Sequence, residues 1–267
     1  MQAGDEVRIG VVCRPQVAPE DLPTIAAAVE KAGIDDLWLW EDCFWGGGLV
    51  ASATVLGASA TMRVGLGLMP TPFRNPALAA MEVAALARLH PGRFIAGFGH
   101  GVREWMEQVG AAVDSPLALM EEYVTTVRAL LRGEEVSVSG RYVSLDGVRL
   151  DQPPAPEAIP PVLVGANGPK AFRLAGRLTD GVILGSVSSP GAAAEAVDAV
   201  RTARAESPLA EEPLIAVGYV EPGDDPAAQA EALVAAGLTT IVFTTTKGDP
   251  DPALLFDAAA AARARLT

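Results

Sequence analysis

The sequence predicts an α/β protein that forms a (β/α)8 TIM barrel in a single domain over residues 1–267. About eight short apolar runs, rich in β-branched residues, recur along the chain, and a helical segment follows each of them. Unbroken apolar runs are typical of parallel strands buried on both faces, and eight such units make a barrel. The competing architecture is an open doubly wound sheet with one extra hairpin.

A repeated helix-to-strand unit is the clearest internal pattern. An amphipathic helix is predicted over residues 22–32 and ends at Gly33, shortly before an apolar run. The same unit recurs around Gly176 and Gly237. Because glycine adopts the left-handed conformation that commonly ends helices, we expect each of these glycines to end one.

The remaining elements fit the alternation, with one insertion after the fourth unit. Asn75 followed by Pro76 predicts the start of a helix. Residues 133–150 predict a small hairpin with Gly140 in its turn, and the Pro-rich connector at 153–161 cannot be helical. The predicted barrel strands are residues 8–12, 37–40, 62–69, 93–97, 162–165, 182–184, 214–219 and 241–244.

The composition excludes several classes of function. The chain has 20 Lys and Arg against 33 Asp and Glu, a formal charge of −13, and a pI near 4.6. This charge argues against binding to nucleic acid or to an anionic membrane. Cys13 and Cys43 are too few for a disulfide framework and are expected to be buried, and two histidines argue against a metal site. Without a recognisable signal peptide or membrane span, the expected location is the cytoplasm.

The carboxyl ends of the predicted strands are where a TIM barrel places its chemistry. These ends are rich in glycine, which lets a flat or phosphorylated ligand approach the backbone and leaves N–H groups free to face an anion. A tight turn is the alternative explanation for any single glycine. The segments are Gly67-Leu68, Gly99-His100-Gly101, Gly165-Ala166-Asn167 and Gly185-Ser186-Val187.

Ionisable and aromatic side chains follow the same strands. Glu41 and Asp42 come after the second strand and His100 after the fourth. Adjacent residues at a strand end face different ways, so we expect at most one of the two carboxylates to point into the mouth. An aromatic wall suits a planar ring system, and the aromatic residues that crowd this region are Trp38, Trp40, Phe44, Trp45 and Trp105.

Six stretches, each weak alone, form a specific set. They are AGIDDLWL at 32–39, RVGLGL at 63–68, RNPA at 74–77, PGRFIAGFGHG at 91–101, VLVGANGP at 162–169 and DGVI at 180–183. In this order they resemble the luciferase-like superfamily of flavin- and deazaflavin-dependent oxidoreductases, which includes bacterial luciferase and enzymes dependent on coenzyme F420. The part of the chain after residue 190 fits by architecture more than by motif.

The resemblance implies a TIM barrel with an insertion, a homodimer and hydride transfer between F420 and a small organic substrate. An FMN-dependent monooxygenase and a non-catalytic flavin-binding partner subunit are the alternatives. It also implies a cis peptide between Gly67 and Leu68 behind the flavin-type ring, and a phosphate held by backbone N–H groups with help from Lys170. The predicted cofactor-binding residues are Gly67, Leu68, Gly99, His100, Gly101, Gly165, Ala166, Asn167, Gly185, Ser186 and Val187.

Two departures from the family pattern bear on the substrate. Many F420-dependent members carry Asp-His after the second strand, where this chain has Glu41 and Asp42. Sugar-phosphate dehydrogenases of the family carry a glutamate after the fourth-strand glycines, where this chain has Val102. These differences argue against a sugar-phosphate dehydrogenase. They leave Asp42 and His100 as the best candidates for a catalytic acid or base, with Glu41 beside them.

Overall fold

The computed structural model describes residues 7–185, 187 and 189–266. The strands are β1 Arg8–Cys13, β2 Asp36–Leu39, β3 Arg63–Pro70, β4 Phe94–Gly99, β5 Val136–Ser139, β6 Ser144–Val148, β7 Val162–Gly165, β8 Gly181–Leu184, β9 Ile215–Val220 and β10 Thr240–Phe243. Eight of them are parallel and close into a barrel in the order β1-β10-β9-β8-β7-β4-β3-β2, which confirms the TIM barrel and excludes the open sheet.

Helices surround the barrel and bury their apolar faces against the outside of the strands. The α3 helix begins as predicted, because the Asn75 side chain accepts a hydrogen bond from the Ala77 N–H at 2.8 Å. The helices are α1 Leu22–Lys31, α2 Gly48–Ala58, α3 Pro76–Leu89, α4 Arg103–Gln108, α5 Pro116–Leu131, α6 Pro169–Leu178, α7 Pro190–Ala205, α8 Pro226–Ala235 and α9 Phe256–Leu266.

Two of the three predicted helix-ending glycines have that role. Gly33 and Gly237 have φ of 70° and 98° and follow α1 and α8. The prediction for Gly176 is wrong, because α6 continues through it to Leu178. A Cβ at Gly176 would lie 2.3 Å from the Val200 carbonyl oxygen. This glycine therefore lets α6 and α7 approach each other closely.

The predicted hairpin is confirmed as the antiparallel pair β5–β6, inserted between α5 and β7. Its turn includes Gly140, whose N–H donates to the Val143 carbonyl at 2.8 Å. The Glu122 carboxylate of α5 accepts backbone N–H bonds at 2.9–3.0 Å from Arg141, Tyr142 and Val143. These bonds lower the pKa of Glu122, although desolvation opposes them as the largest single effect. The insertion is thus tied to the helix that precedes it.

The lower half of the barrel interior is filled by side chains and forms a floor. Trp38 is fully buried there beside residues from six other strands, including Val12, Ile95 and Leu163. A Cβ at Gly65 would lie 2.5 Å from the Trp38 ring. Below, Asp36 at the start of β2 binds the guanidinium groups of Arg8 and Arg63, each at 2.8 Å. Space for a ligand is therefore left only towards the carboxyl ends of the strands.

Candidate functional site

A cavity of about 300 Å³ opens at the carboxyl ends of the strands. It brings together ten of the predicted site residues, because parallel strands in one barrel end at one rim. Those ten are Glu41, Asp42, Gly67, Leu68, Gly99, His100, Gly101, Gly165, Asn167 and Gly185. Ala166 is buried beneath the lining, Val187 lies outside it, and Ser186 falls outside the described residues. Glu221 and Tyr219 on the β9 side also line the cavity, and neither was predicted from the sequence.

The glycines at the rim make room first for the protein's own side chains. A Cβ at Gly99 or Gly165 would lie 2.4 or 2.5 Å from the Leu68 side chain, which therefore extends across the ends of β4 and β7. A Cβ at Gly67 would lie 3.0 Å from the Trp38 ring, whereas a Cβ at Gly185 would meet open space. The Gly67–Leu68 peptide is cis, as the resemblance implies, and the Cys43–Phe44 peptide is cis as well. Leu68 thus forms part of the cavity surface that a ring would contact.

Glu41 is held in a buried ion pair that the sequence did not reveal. Its carboxylate accepts hydrogen bonds from Arg74 Nη1 at 2.8 Å and Nη2 at 3.1 Å, and from the Gly48 N–H at 2.8 Å. The pair ties the loop after β2 to the loop after β3 and to the start of α2. Glu41 and Asp42 both line the cavity. Because the Glu41 carboxylate is bound to Arg74 and Gly48, the expectation that at most one of the two carboxylates points into the mouth stays a prediction.

Asp42 is half-buried, and its carboxylate has no hydrogen bond or ion pair among the described residues. Burial raises the pKa of Asp42, while the more distant charges of Lys247 and Arg14 oppose the shift. A carboxyl group with a raised pKa that faces a cavity is suited to accept and release a proton.

His100 lies at the outer edge of the cavity and is exposed. Its Nδ1 is 2.9 Å from the Gly101 carbonyl oxygen, which indicates a protonated Nδ1 and leaves Nε2 available. Gly101 has a φ of 71°, a conformation that favours glycine and turns the chain towards α4.

The aromatic wall differs from the predicted one. Trp40, Trp105 and Tyr219 line the cavity. Phe44 and Trp45 are 61% and 60% exposed and do not line it. The Trp40 and Tyr219 rings meet edge to face with centroids 5.7 Å apart. The Trp40 Nε1 and the Tyr219 hydroxyl are buried, and neither forms a well-aligned hydrogen bond within the described chain.

A second, larger groove of about 780 Å³ adjoins the cavity and shares His100, Gly101 and Asn167 with it. It runs between α4, α5 and the first turn of α6, which begins at Pro169. Three cationic residues line it, namely Arg103, Lys170 and Arg173. Arg103 also pairs with Glu107 on its own helix at 2.8 Å. Of the three, only Lys170 was predicted from the sequence, because nothing in the local pattern shows that the others line the same groove.

Nucleophilic and metal chemistry find no support in the described part of the chain. Both cysteines are free and buried, as predicted. Burial raises the pKa of the Cys13 thiol to about 12 and also raises that of Cys43. Among residues 7–185, 187 and 189–266, no cluster of His, Cys, Asp and Glu could hold a metal ion. None of the described helices is long and apolar enough to cross a bilayer.

Comparison with known sequences identifies the family to which the chain is similar. The profile of the luciferase-like monooxygenase family matches residues 7–265. An F420-dependent glucose-6-phosphate dehydrogenase from Nakamurella multipartita is 34% identical over 189 residues, which cover 66% of this chain and 55% of that protein. The chain spans about half the length of the curated relatives it matches.

Solved structures share the fold. An F420-dependent secondary alcohol dehydrogenase in complex with an F420–acetone adduct superposes with a TM-score of 0.83 at 17% identity, over 96% of this chain and 99% of that chain. The oxygenating constituent of 3,6-diketocamphane monooxygenase from Pseudomonas putida, in complex with FMN, gives a TM-score of 0.75 at 14% identity over 96% of each chain. Since the family profile covers nearly the whole sequence, the protein belongs to the luciferase-like monooxygenase family.

Proposed function

We propose that the protein is an oxidoreductase that uses coenzyme F420 to transfer a hydride to or from a small organic substrate. The observation that carries the proposal is the pairing of an aromatic-lined cavity with an adjoining cationic groove. F420 has the matching form, a flat deazaflavin ring joined to a phosphate and an acidic tail. The similarity to an F420-dependent dehydrogenase supports the same cofactor.

The residues present fit such a group. The Gly67–Leu68 backbone and the Trp105 side chain offer surfaces for a planar ring. Lys170, Arg173 and the N-terminus of α6 offer positive charge to an anionic tail. When bound, F420 supplies the hydride chemistry, while the protein supplies orientation and exclusion of water. The other predicted cofactor contacts, Gly99, His100, Gly101, Gly165, Ala166, Asn167, Gly185, Ser186 and Val187, remain part of this proposal.

We assign the accompanying proton to Asp42 or His100. Asp42 lines the cavity, its carboxylate forms no hydrogen bond or ion pair with any described residue, and its pKa is raised, so it holds a proton more readily than an ordinary aspartate. His100 lies at the junction of cavity and groove, where Nε2 is available. Glu41 was a third candidate. Its bidentate pairing with Arg74 favours a role in holding the loop that carries Asp42.

Fluorescence titration with F420 and with FMN tests the choice of cofactor. We expect F420 to bind and FMN to bind at least about tenfold more weakly, because the groove offers more cations than one phosphate needs. Lys170→Ala and Arg173→Ala should each weaken F420 binding. Arg177→Ala is the matched control, since Arg177 is exposed on the same helix and lines neither compartment. Tight binding of FMN without F420 would instead favour the FMN-dependent monooxygenase.

A bound cofactor that no donor or acceptor oxidises or reduces would favour the non-catalytic partner subunit. The homodimer implied by the resemblance also belongs to this proposal. Apolar side chains that remain exposed on α3, namely Leu78, Met81 and Leu89, support it, because exposed apolar patches often mark protein contacts. Light scattering should give the mass of two chains, and the cytoplasmic location stays a prediction.

A further inference from the structure

Acidic and basic residues are separated between the two compartments, the inner cavity at the strand ends and the outer groove beside it. The ionisable residues that line the inner cavity are Glu41, Asp42 and Glu221, which are acidic, together with His100. Arg103, Lys170 and Arg173 line the outer groove, and no described Lys or Arg lines the inner cavity. The inner cavity therefore presents negative charge to whatever enters it.

Two of these three acidic residues have no ion-pair partner in the part of the chain that the structure describes. Glu41 is paired with Arg74. Asp42 and Glu221 have no hydrogen bond or ion pair to their carboxylates within the described chain. Glu221 is exposed, whereas Asp42 is half-buried, where an ionised group is costly unless it finds an opposite charge. A ligand that brings a positive charge would supply it.

Two cations lie near Asp42 without lining the cavity. Arg14 is turned to the loop after β10, where its Nε donates to the Thr245 carbonyl at 2.6 Å and its Nη2 to Thr244 Oγ1 at 3.0 Å. Lys247 lies on the same loop, is exposed and acts on Asp42 only as a charge at a distance. They oppose the rise in the pKa of Asp42 but do not reverse it.

The aromatic side chains around these carboxylates also suit a cation. Trp40 already carries the Arg14 guanidinium over its ring, 4.7 Å from the centroid. Trp105 and Tyr219 complete the aromatic lining. Aromatic faces combined with carboxylates are the usual recognition surface for ammonium groups.

Building on the proposed function, we propose that the substrate of the inner cavity carries a positively charged nitrogen, as a protonated amine or a quaternary ammonium. Asp42 and Glu221 hold this charge, and the aromatic lining packs around it. Phosphorylated and carboxylated substrates are repelled from the same position. The specificity thus differs from that of a sugar-phosphate dehydrogenase, although the chain is similar to one.

Isothermal titration with three probes of similar shape, benzylamine, benzyl alcohol and benzoate, tests the assignment at pH 7.5 with F420 bound. We expect benzylamine to bind about tenfold more tightly than benzyl alcohol, and benzoate to bind most weakly. Asp42→Asn and Glu221→Gln should each reduce the preference for the amine, and the double variant should abolish it. Glu231→Gln, which removes an exposed charge on α8, should leave the preference unchanged.

Equal affinity for benzylamine and benzyl alcohol, no binding of benzylamine, or an unchanged preference in the double variant would each overturn the assignment. The same titrations without cofactor separate it from the proposed function. If F420 does not bind to the wild-type protein, the proposed function fails. The order of affinity among the three probes still decides whether the inner cavity prefers a cationic ligand.

Discussion

Replacement of Arg74 by Met tests whether the buried pair with Glu41 holds the site together. The side chains of Arg74 and Glu41 are 15% and 5% exposed, and two hydrogen bonds join them. Removing one member of a buried pair leaves the other charge without compensation, which typically costs 3–5 kcal/mol. Because the Gly48 N–H still binds Glu41 and Arg74 is not wholly buried, we expect the lower end, about 3 kcal/mol.

The matched control is Arg103→Met, which breaks a pair with the same 2.8 Å distance on the surface. This substitution should leave the free energy of unfolding unchanged within error, since exposed pairs contribute little. Urea unfolding measures both variants, and the double variant Arg74→Met with Glu41→Gln should recover part of the loss. If Arg74→Met cost no more than Arg103→Met, burial would not govern the strength of this pair and the reasoning would fail.

Three further outcomes are expected. Gly65→Ala should lower the unfolding free energy by up to about 3 kcal/mol in urea melts, because the new Cβ would lie 2.5 Å from the buried Trp38 ring; an unchanged midpoint would contradict this packing. Asp42→Asn should stabilise the fold at neutral pH. The raised pKa makes the ionised carboxyl unfavourable in the folded state, so the gain should disappear as pH falls below about 3.9 in pH-dependent melts; a constant gain would refute the cause. Cys13 and Cys43 should react with iodoacetamide at pH 8 only as fast as the protein unfolds, because burial raises both thiol pKa values, and fast labelling of the native state would show an open thiol.

The strands could be predicted from the sequence because a parallel barrel strand is buried on both faces and is apolar throughout. β7 was predicted with the bounds it has, Val162–Gly165. The observed bounds of β2 and β10 are shifted by one residue from the predicted ones. Helix ends were predictable where local chemistry determines them, as at Asn75 and Gly33. Gly176 was misassigned because a glycine is needed there for close packing against α7, which lies more than twenty residues later in the sequence.

The site was predictable only in its location. Side chains alternate along a strand, so Trp38 and Trp40 both point into the barrel while Leu37 and Leu39 face the helices. Beyond the strand this alternation no longer applies, and Trp45 is 60% exposed. The pairing of Glu41 with its arginine joins two loops 33 residues apart, which a single sequence cannot show.

The separation of charge also explains how a chain with a net charge of −13 can suit an anionic cofactor. Charges farther away than about 8 Å are largely screened at physiological ionic strength, so a tail in the outer groove responds to Arg103, Lys170 and Arg173 rather than to the whole surface. The inner cavity presents the opposite sign through Asp42 and Glu221. An anionic tail and a cationic substrate would each be attracted to one compartment and repelled from the other. Under the proposed function, this opposition orients both molecules before any residue acts on the reacting atoms.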